Sequence, residues 1–372
     1  MKTLTKKLLI VTTLIAMLLA SGCSSSKENT TGLPDGFEIL SDEDINNAIS
    51  DYKDNITLGD CSKLTYHLDN DYTITDDKIK HGLIAALPKI AIKTEIKDRA
   101  AQIGDTVNIS YKGTIDGKTY SGSETNEKGE TIILGFANYI DDFENKIVGM
   151  KTGETRTIDI TYPSNYGSDT ISGKTAKFEV TMNSIHTYDL PELTDDLIKA
   201  NSDYKTVDEI KKACKEALEK QAAENKKIEI YNDVVKQIMD KSTYNEYPKE
   251  ELDFIIDNTN KAISEYCTKY NVDKMTVLKE AYNVTTIADF DNKLLEETKE
   301  YLKLKMTICA FAKSKNITVT SKEFDDFRIN LMNGSSINSV DELLTYYTEA
   351  DILFNCLLEK VQDWILTNAV EE

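Results

Sequence analysis

The residues of this chain best suited to chemistry lie between Gly104 and about Ile185. This stretch begins with GDTVNISYKG, and it combines alternating apolar residues, tight-turn residues and aromatic side chains. It contains no metal-ligand motif, no Cys-His pair and no phosphate-binding loop. We therefore expect a compact β-rich module with an apolar groove, whose chemistry depends on the shape of the groove and on the exclusion of water.

Short strands and one helix are predicted to build this module. Val107, Ile109 and Tyr111 alternate along a first strand, because side chains two residues apart share one face of a strand. Asp116-Gly117 is a hairpin signal, and the acidic residues from Asp141 to Glu144 favour the start of a short helix. Further strands are predicted at 131–134, around Ile158, Ile160 and Tyr162, and around Phe178, Val180 and Met182. An antiparallel sheet wrapped on one short helix satisfies these signals.

The chain changes character after Pro191, where strand signals nearly vanish and helical periodicity begins. Thr206, Thr320 and Ser339 each precede a glutamate by three residues, which is the capping-box pattern of a helix start. One apolar stripe along the last predicted helix contains Ile352, Cys356, Leu357, Val361, Trp364 and Ile365. Long helices joined by short breaks predict an extended α-helical body rather than a compact enzyme core.

Composition limits the classes of function. The chain has 372 residues, enough for two or three domains. Its 44 basic and 64 acidic residues give a net charge of −20, which argues against nucleic acid as a partner. The histidines His67, His81 and His186 are far apart, and the six cysteines include no CxxC pair. We therefore expect no zinc site, no disulfide framework and no cofactor or metal.

The N-terminus has the pattern of a bacterial lipoprotein signal. Lysines at positions 2, 6 and 7 precede an apolar run from Leu8 to Ala20, which is too short for an ordinary membrane span. The run leads into LASGC, which is similar to a lipobox except that its leucine stands one position earlier than usual. We expect residues 1–22 to be removed, Cys23 to carry the lipid, and residues 23–40 to form a flexible tether. The alternative is a plain secreted protein with one odd thiol.

The middle module resembles the FKBP-type peptidyl-prolyl isomerases. The matching segments are, in chain order, GDTVNISYKG, IDGKTYSGS, IILG, IDDFENKIVGMKTGE, TYPSNYG and AKFEV. Directly after them, YDLPELT is similar to trigger factor, in which an isomerase domain runs into a helical, arm-bearing chaperone domain. The resemblance covers most of the chain and is weakest beyond residue 200.

The resemblance implies an α+β fold with three structural parts. Residues 101–188 form the FKBP-like domain, an antiparallel β-sheet wrapped on a short helix. Residues 189–372 form an extended α-helical, trigger-factor-like chaperone domain, and residues 41–100 form a connecting segment of helix and strand that packs on it. The lipobox and tether stand where trigger factor has its ribosome-docking domain, so we expect no ribosome as partner.

These features together predict an exported relative of trigger factor, anchored by its lipid to the extracytoplasmic face of the cell membrane. Its expected partners are unfolded or proline-containing polypeptides and the membrane, with no nucleic acid and no ribosome. Its expected reaction is cis–trans isomerisation of Xaa-Pro bonds. That reaction passes through a twisted amide and requires no nucleophile and no proton transfer.

The resemblance places aromatic residues around a proline pocket. Phe143 falls at the floor of this pocket, where the family often has tryptophan. Tyr111, Tyr120 and Phe178 fall at wall positions. An apolar pocket with little water favours the twisted amide over the planar one.

Hydrogen-bonding groups complete the expected pocket, and three departures from the family pattern alter it. The resemblance assigns a backbone N–H donor to Ile140 and a hydroxyl to Tyr166. Glu130 stands where an aromatic wall is usual, Ser121 where an acidic residue is common, and Asp142 where glycine is usual. We therefore expect a shallower, wetter and more acidic pocket with weak to moderate isomerase activity.

A second hypothesis belongs to another class of protein. Here the chain acts chiefly as a holdase, whose helical arms cradle unfolded segments while the β module is an inactive peptide grip. Such arms need exposed apolar patches rimmed by charge. The candidates are Tyr266, Tyr270, Met275, Tyr346, Tyr347 and Phe354, each of which taken alone is better explained as interhelix core. A third hypothesis, a lipoprotein that binds a small solute, predicts βαβ alternation, which the sequence lacks.

Overall fold

The computed structural model describes residues 40–120, 122–136, 141–162, 171, 173–282, 284–335, 339–344 and 347–372. Of the residues singled out above, Cys23, Ser121, Ile140, Tyr166 and Tyr346 lie outside these ranges. The chain divides into two compact units, one of residues 69–226 and one that joins the segment up to residue 68 to residues 227–372. The boundary at residue 68 falls inside the predicted connecting segment 41–100.

The helices and strands follow the predicted change from β to α. The helices are α1 (Asp42–Ala48), α2 (Asp76–Ala86), α3 (Asp141–Ile147), α4 (Asp195–Asn201), α5 (Val207–Lys241), α6 (Lys249–Tyr270), α7 (Lys274–Tyr282), α8 (Ile287–Ser314), α9 (Ser321–Ser335), α10 (Val340–Leu344) and α11 (Glu349–Asn368). The strands are β1 (Ile56–Thr57), β2 (Thr65–Tyr66), β3 (Ile92–Glu95), β4 (Thr106–Thr114), β5 (Glu130–Ile133), β6 (Thr155–Thr161), β7 (Thr175–Asp189), β8 (Thr243–Tyr244) and β9 (Val370–Glu371). The predicted α+β fold class is confirmed.

Capping explains several of the helix starts. The Thr320–Glu323 pair is reciprocal: the Glu323 N–H donates to the Thr320 hydroxyl at 3.3 Å, and the Thr320 N–H donates to Glu323 Oε2 at 2.8 Å. At Thr206 the Glu209 N–H donates to the threonine hydroxyl at 3.1 Å, but the Glu209 carboxylate accepts from the N–H of Lys205 at 2.7 Å. Both arrangements are stabilising because backbone N–H groups near a helix start lack helical acceptors, and a carboxylate can accept a hydrogen bond from one of them.

A five-stranded antiparallel sheet forms the centre of the unit made of residues 69–226. The strand order is β3-β7-β4-β5, and β6 also pairs with β7. The strand β7 is 15 residues long, so its first part pairs with β6 and its last four residues pair with β3, while β4 runs along its other edge. The register shifts between Asn108 and Ile109 of β4, which pair with Ser184 and Met182, so Asn183 is the extra residue of a bulge in β7.

One face of this sheet is apolar, and we call it the inner face. Ile109 lies opposite Met182 and Tyr111 lies opposite Val180, so their side chains point to the same side. Ile109, Met182 and Val180 are fully buried. The same core cluster takes in Ile147 of α3, so the short helix covers the inner face as the alternation predicts.

A buried carboxylate holds the chain just before β4. Asp105 is 3% exposed, and Arg99 donates to its two oxygens at 2.6 and 2.8 Å. The N–H of Gln102 donates to the same carboxylate at 2.8 Å. The hydrogen bond to Asp105 raises the pKa of the Arg99 guanidinium. This pairing satisfies a carboxylate that would otherwise be costly to bury.

Two helices and the first part of a third, α5, complete the same unit beside the sheet. Leu83 of α2 packs in a small buried cluster with Ile198 of α4 and Ile210 of α5. The helix α2 also contacts the sheet region, because the ring of His81 lies over that of Phe136 with a centroid distance of 4.2 Å. The loop that follows β5 is thus packed against a helix that precedes the sheet in the sequence.

The other unit has a helical core. Its core cluster includes residues of α5, α8, α9 and α11, together with Ile45 of α1, which is fully buried. Trp364, the single tryptophan of the chain, packs edge to face on Phe311 with a centroid distance of 5.4 Å. Two short strand pairs, β1 with β8 and β2 with β9, attach the N-terminal segment to later elements. Residues 40–68 therefore share one core with the C-terminal helices.

A buried ion pair joins α8 to α6 in this helical unit, and its two residues also contact Tyr52 and Phe354. Lys305 of α8, with 7% of its side chain exposed, pairs with Glu251 of α6. The hydroxyl of Tyr52 donates to Glu251 Oε2 at 2.8 Å. The Lys305 ammonium also lies 5.5 Å from the ring centre of Phe354. Burial raises the pKa of Tyr52, so this hydroxyl stays a donor to the carboxylate.

A second cluster of buried residues lies among α6, α7 and the first half of α8. Of the side chains considered for a client surface, Tyr266 and Phe354 are only 7% and 4% exposed, so the interpretation as interhelix core is right for these two. Tyr270 is 46% exposed. Phe254 and Ile287, which the sequence did not single out, are 52% and 48% exposed. These helices therefore present apolar side chains to solvent.

Neither a spanning helix nor a metal cluster occurs in the ranges given above. No helix there is both long enough and apolar enough to cross a membrane. No group of three or more His, Cys, Asp or Glu side chains there could hold a metal ion. The described cysteines are free thiols. Burial raises the pKa of Cys309 and of Cys356 to about 12, which makes both thiols poor nucleophiles.

Candidate functional site

Three aromatic rings meet on the inner face of the sheet, and we call them the ring cluster: Tyr111, Phe143 and Phe178. Their centroids are 5.7 Å apart for Tyr111 and Phe143, 5.8 Å for Tyr111 and Phe178, and 5.5 Å for Phe143 and Phe178. All three pairs are edge to face, the geometry that aromatic quadrupoles favour. Phe143 and Phe178 are 3% and 5% exposed, whereas Tyr111 is half-buried. The cluster therefore has a buried floor and one ring that reaches solvent.

Strand register brings two of these rings together. Tyr111 of β4 lies opposite Val180 of β7, and Gly113 lies opposite Phe178, so both rings project from the inner face. A Cβ atom on Gly113 would lie 2.4 Å from Cε1 of the Phe178 ring. Glycine is needed at this position because the Phe178 ring packs directly on its backbone.

Two contacts fix α3, which carries the third ring, Phe143. Glu144 is 4% exposed, and its carboxylate accepts a hydrogen bond from the N–H of Gly135 at 2.5 Å, which ties the turn after β5 to the helix. At the other end, Arg156 of β6 donates to the carbonyl of Lys146 at 2.7 Å. The position of Phe143 thus depends on groups that lie outside the pocket.

The remaining predicted wall residue, Tyr120, pairs with a residue that the sequence interpretation missed. The hydroxyls of Tyr120 and Tyr162 are 2.8 Å apart, and the two rings are edge to face at 6.1 Å. Tyr162 is 7% exposed, and Tyr120 packs against the same core as the ring cluster. The alternation of Ile158, Ile160 and Tyr162 was the available signal, since it places Tyr162 on the inner face.

The structure brings Tyr111, Phe143 and Phe178 into contact and places Tyr120 beside Tyr162. The other two predicted residues, 140 and 166, lie outside the described ranges. The sequence had not assigned Tyr162 to the site, nor Glu144 to the positioning of Phe143.

Glu130 lies beside the ring cluster, as its position in the sequence suggested. It is the first residue of β5, its side chain is exposed, and its Oε2 accepts a hydrogen bond from the Tyr111 hydroxyl at 3.1 Å. A carboxylate thus replaces the apolar wall expected at this position. The described part of the site combines apolar rings, tyrosine hydroxyls and this acidic group.

This arrangement suits rotation about an amide bond. Rotation passes through a twisted state that has lost amide resonance, and the uncatalysed barrier is about 20 kcal/mol. The twisted amide is less polar along its C–N bond, so an apolar floor stabilises it more than it stabilises the planar amide. The buried rings of Phe143 and Phe178 supply that floor.

Two family models match this chain. The model of the FKBP-type peptidyl-prolyl cis-trans isomerase matches residues 97–183. The model of the bacterial trigger factor C-terminus matches residues 206–367. The first match contains the whole ring cluster, and the second covers almost all of the chain from α5 to α11.

Curated relatives of the chain are trigger factors. Trigger factor of Staphylococcus epidermidis is 27% identical over 302 residues, which are 80% of this chain and 67% of that protein. Trigger factor of Finegoldia magna is 35% identical over 190 residues, which are 51% of this chain and 42% of that protein. A solved trigger factor chaperone overlaps 84% of this chain and 72% of its own at 17% identity, with a TM-score of 0.36, too low to define a common arrangement. The two family matches and these relatives show that the chain is a trigger factor-like protein with an FKBP-type peptidyl-prolyl cis–trans isomerase domain and a trigger factor C-terminal domain.

Proposed function

We propose that this protein is a membrane-anchored peptidyl-prolyl isomerase and folding chaperone for exported polypeptides. The contact of Tyr111, Phe143 and Phe178 on the inner face is the observation that supports the enzymatic part. The lipobox-like LASGC sequence supports the anchored and exported part. Unfolded or proline-containing segments are the substrates that fit both features.

In the proposed mechanism the proline ring of the substrate packs on Phe143 and Phe178, whose burial keeps water from the floor of the pocket. The half-buried Tyr111 ring forms one wall, and the hydroxyl-linked Tyr120 and Tyr162 form a second. The substrate amide then loses part of its hydration, and the less polar twisted state gains relative to the planar state. Catalysis depends on this difference in binding, and no covalent intermediate is needed.

Catalysed exchange of a short Xaa-Pro peptide tests the isomerase proposal. We expect the purified protein to accelerate cis–trans exchange, measured by protease-free NMR exchange spectroscopy, in proportion to protein concentration. Exchange that stays at the uncatalysed rate throughout a concentration series, with a folded protein by circular dichroism, would contradict the proposal.

Fractionation of cells tests the anchor. We expect the wild-type chain to sediment with membranes and to incorporate labelled palmitate, and we expect Cys23→Ser to lose the label because the sulfur that would carry the lipid is gone. Cys267→Ser is the matched control, since it changes a half-buried thiol in α6 and should leave both results unchanged. A wild-type chain without label, or a labelled Cys23→Ser chain, would rule out lipidation at this position.

The holdase hypothesis is kept as the second candidate because Phe254, Tyr270 and Ile287 are exposed on the helices of the C-terminal domain. Exposed apolar side chains of this kind are typical of surfaces that bind unfolded chains. The protein would be chiefly a holdase if it suppresses aggregation of an unfolded client while the exchange assay shows no catalysis.

A further inference from the structure

An acidic side chain lies within one hydrogen bond of the ring cluster. The Tyr111 hydroxyl donates to Glu130 Oε2 at 3.1 Å, and the Tyr111 ring itself contacts Phe143 and Phe178. Glu130 is exposed, whereas the two phenylalanines are buried. The carboxylate therefore lies at the solvent-facing rim of the proposed proline pocket. In this proposal, the residues before and after a bound proline pass this rim on their way to solvent.

Strand register explains why this carboxylate faces the pocket. Glu130 of β5 pairs with Ile109 of β4, and paired residues of antiparallel strands point to the same side of a sheet. Ile109 is fully buried on the inner face, and Tyr111 follows it on that face two residues later. Glu130 is thus an inner-face residue at the point where apolar packing ends and solvent begins.

The charge of Glu130 is not matched by a cation in the described ranges. No Lys or Arg there forms an ion pair with it, and the Tyr111 hydroxyl is its one hydrogen-bond donor among those residues. Lys112 lies opposite Glu179 of β7 and belongs to the other face of the sheet, because it is one residue away from Tyr111. A carboxylate has about four acceptor positions on two oxygens, so Glu130 can accept further hydrogen bonds from a bound peptide.

We infer that Glu130 makes the site prefer Xaa-Pro segments with a lysine or arginine beside the proline. This inference rests on the proposed isomerase function and names the class of substrate for that same pocket. A cationic side chain next to a proline held by the ring cluster lies close to the carboxylate that Tyr111 positions. An acidic side chain in the same place meets a like charge at short range.

The expected preference is modest because the carboxylate is exposed. Ion pairs at exposed positions change an equilibrium by about 1.5- to 5-fold, and dissolved salt weakens them. The net charge of −20 also attracts basic peptides, but that wider field acts mainly on the rate of encounter. We therefore expect kcat/KM to be about 5-fold higher for a lysine peptide than for a glutamate peptide at low salt.

The test compares matched peptides on matched variants of the full protein. Peptides carry Lys, Gln or Glu either directly before or directly after one proline, and exchange is measured at low and at high salt. Glu130→Gln removes the charge but keeps an oxygen that can accept from Tyr111, so the Lys-to-Glu ratio of kcat/KM should fall close to 1. Glu179→Gln is the control, because it removes one exposed carboxylate from the opposite face of the same sheet and should leave the ratio as in wild type.

The outcomes separate the inference from the proposed function. Equal turnover of all peptides by the wild type, or a lysine preference that Glu130→Gln retains, overturns the inference and leaves the isomerase intact. If no peptide is turned over, the isomerase proposal fails, and titration calorimetry of the same peptides decides the inference. A lysine-over-glutamate ratio of Kd that depends on Glu130 supports it, and equal Kd values overturn it.

Discussion

Phe143→Ala is expected to lower kcat/KM for an Xaa-Pro peptide by about 10- to 100-fold. Burial of an aromatic side chain against an apolar partner contributes roughly 1.5–3 kcal/mol, and each 1.4 kcal/mol of lost transition-state binding is tenfold in rate. Phe143 is 3% exposed and contacts both other rings of the cluster, so its removal leaves the floor of the pocket open to water. The measurement is protease-free exchange at equal concentrations of variant and wild type.

Two further variants keep this prediction separate from loss of folding. Phe143→Ala also removes core volume, which costs about 3–5 kcal/mol of unfolding free energy. Phe143→Leu retains most of the volume but not the ring, and we expect it to stay folded with reduced kcat/KM. Ile147→Val, one turn later on the same helix and fully buried, should change kcat/KM by less than about twofold. Wild-type activity in a folded Phe143→Leu protein would exclude the ring as part of the site.

Glu251→Gln is expected to lower the free energy of unfolding of the helical unit by about 3 kcal/mol. The substitution leaves the Lys305 ammonium, with 7% of its side chain exposed, without its counter-charge. Loss of one partner from a buried ion pair costs about 3–5 kcal/mol, and the lower end applies here because the Glu251 side chain is 25% exposed. The Tyr52 hydroxyl also loses a charged acceptor.

Tryptophan fluorescence during urea unfolding measures this effect in the relevant unit. Trp364 is the single tryptophan and packs on Phe311 in the core cluster that also contains Tyr52 and Phe354. These two residues contact Glu251 and Lys305, so the tryptophan signal follows the core beside the ion pair. Glu250→Gln, a neighbouring exposed carboxylate, should change stability by less than about 0.5 kcal/mol. Adding Lys305→Met to Glu251→Gln should restore much of the loss, since methionine removes the buried ammonium that needed a counter-charge. A Glu251→Gln midpoint equal to that of wild type would show that the pair contributes nothing.

Local pattern was enough to predict the elements that carry the site. Alternation with a period of two places Tyr111 and Phe178 on strand faces, and the acidic start of α3 marks the helix that holds Phe143. These signals depend only on residues a few positions apart, so they can be read from the sequence without knowledge of tertiary contacts. The confirmed α+β fold class follows from the same signals, because they stop where helical periodicity begins.

The partners of these side chains could not be predicted in the same way. Alternation assigns a residue to a face, but it does not say which strand lies beside it. The contact of Tyr120 with Tyr162 and the packing of Phe178 on Gly113 join positions that are far apart in the sequence. Such pairs depend on the register of the folded sheet, which is set jointly by turn geometry and by burial of one whole face.

The amino-acid sequence by itself determined the order of β-rich and helical parts, the aromatic residues of the ring cluster and the unusual acid at Glu130. Only the tertiary structure decided that Glu130 bonds Tyr111, that Lys305 is buried against Glu251, and that residues 40–68 share a core with 227–372. The physical reason is that backbone propensities act over one or two turns of chain. Which charges and apolar side chains become buried depends on which distant segments of the chain pack together and exclude water.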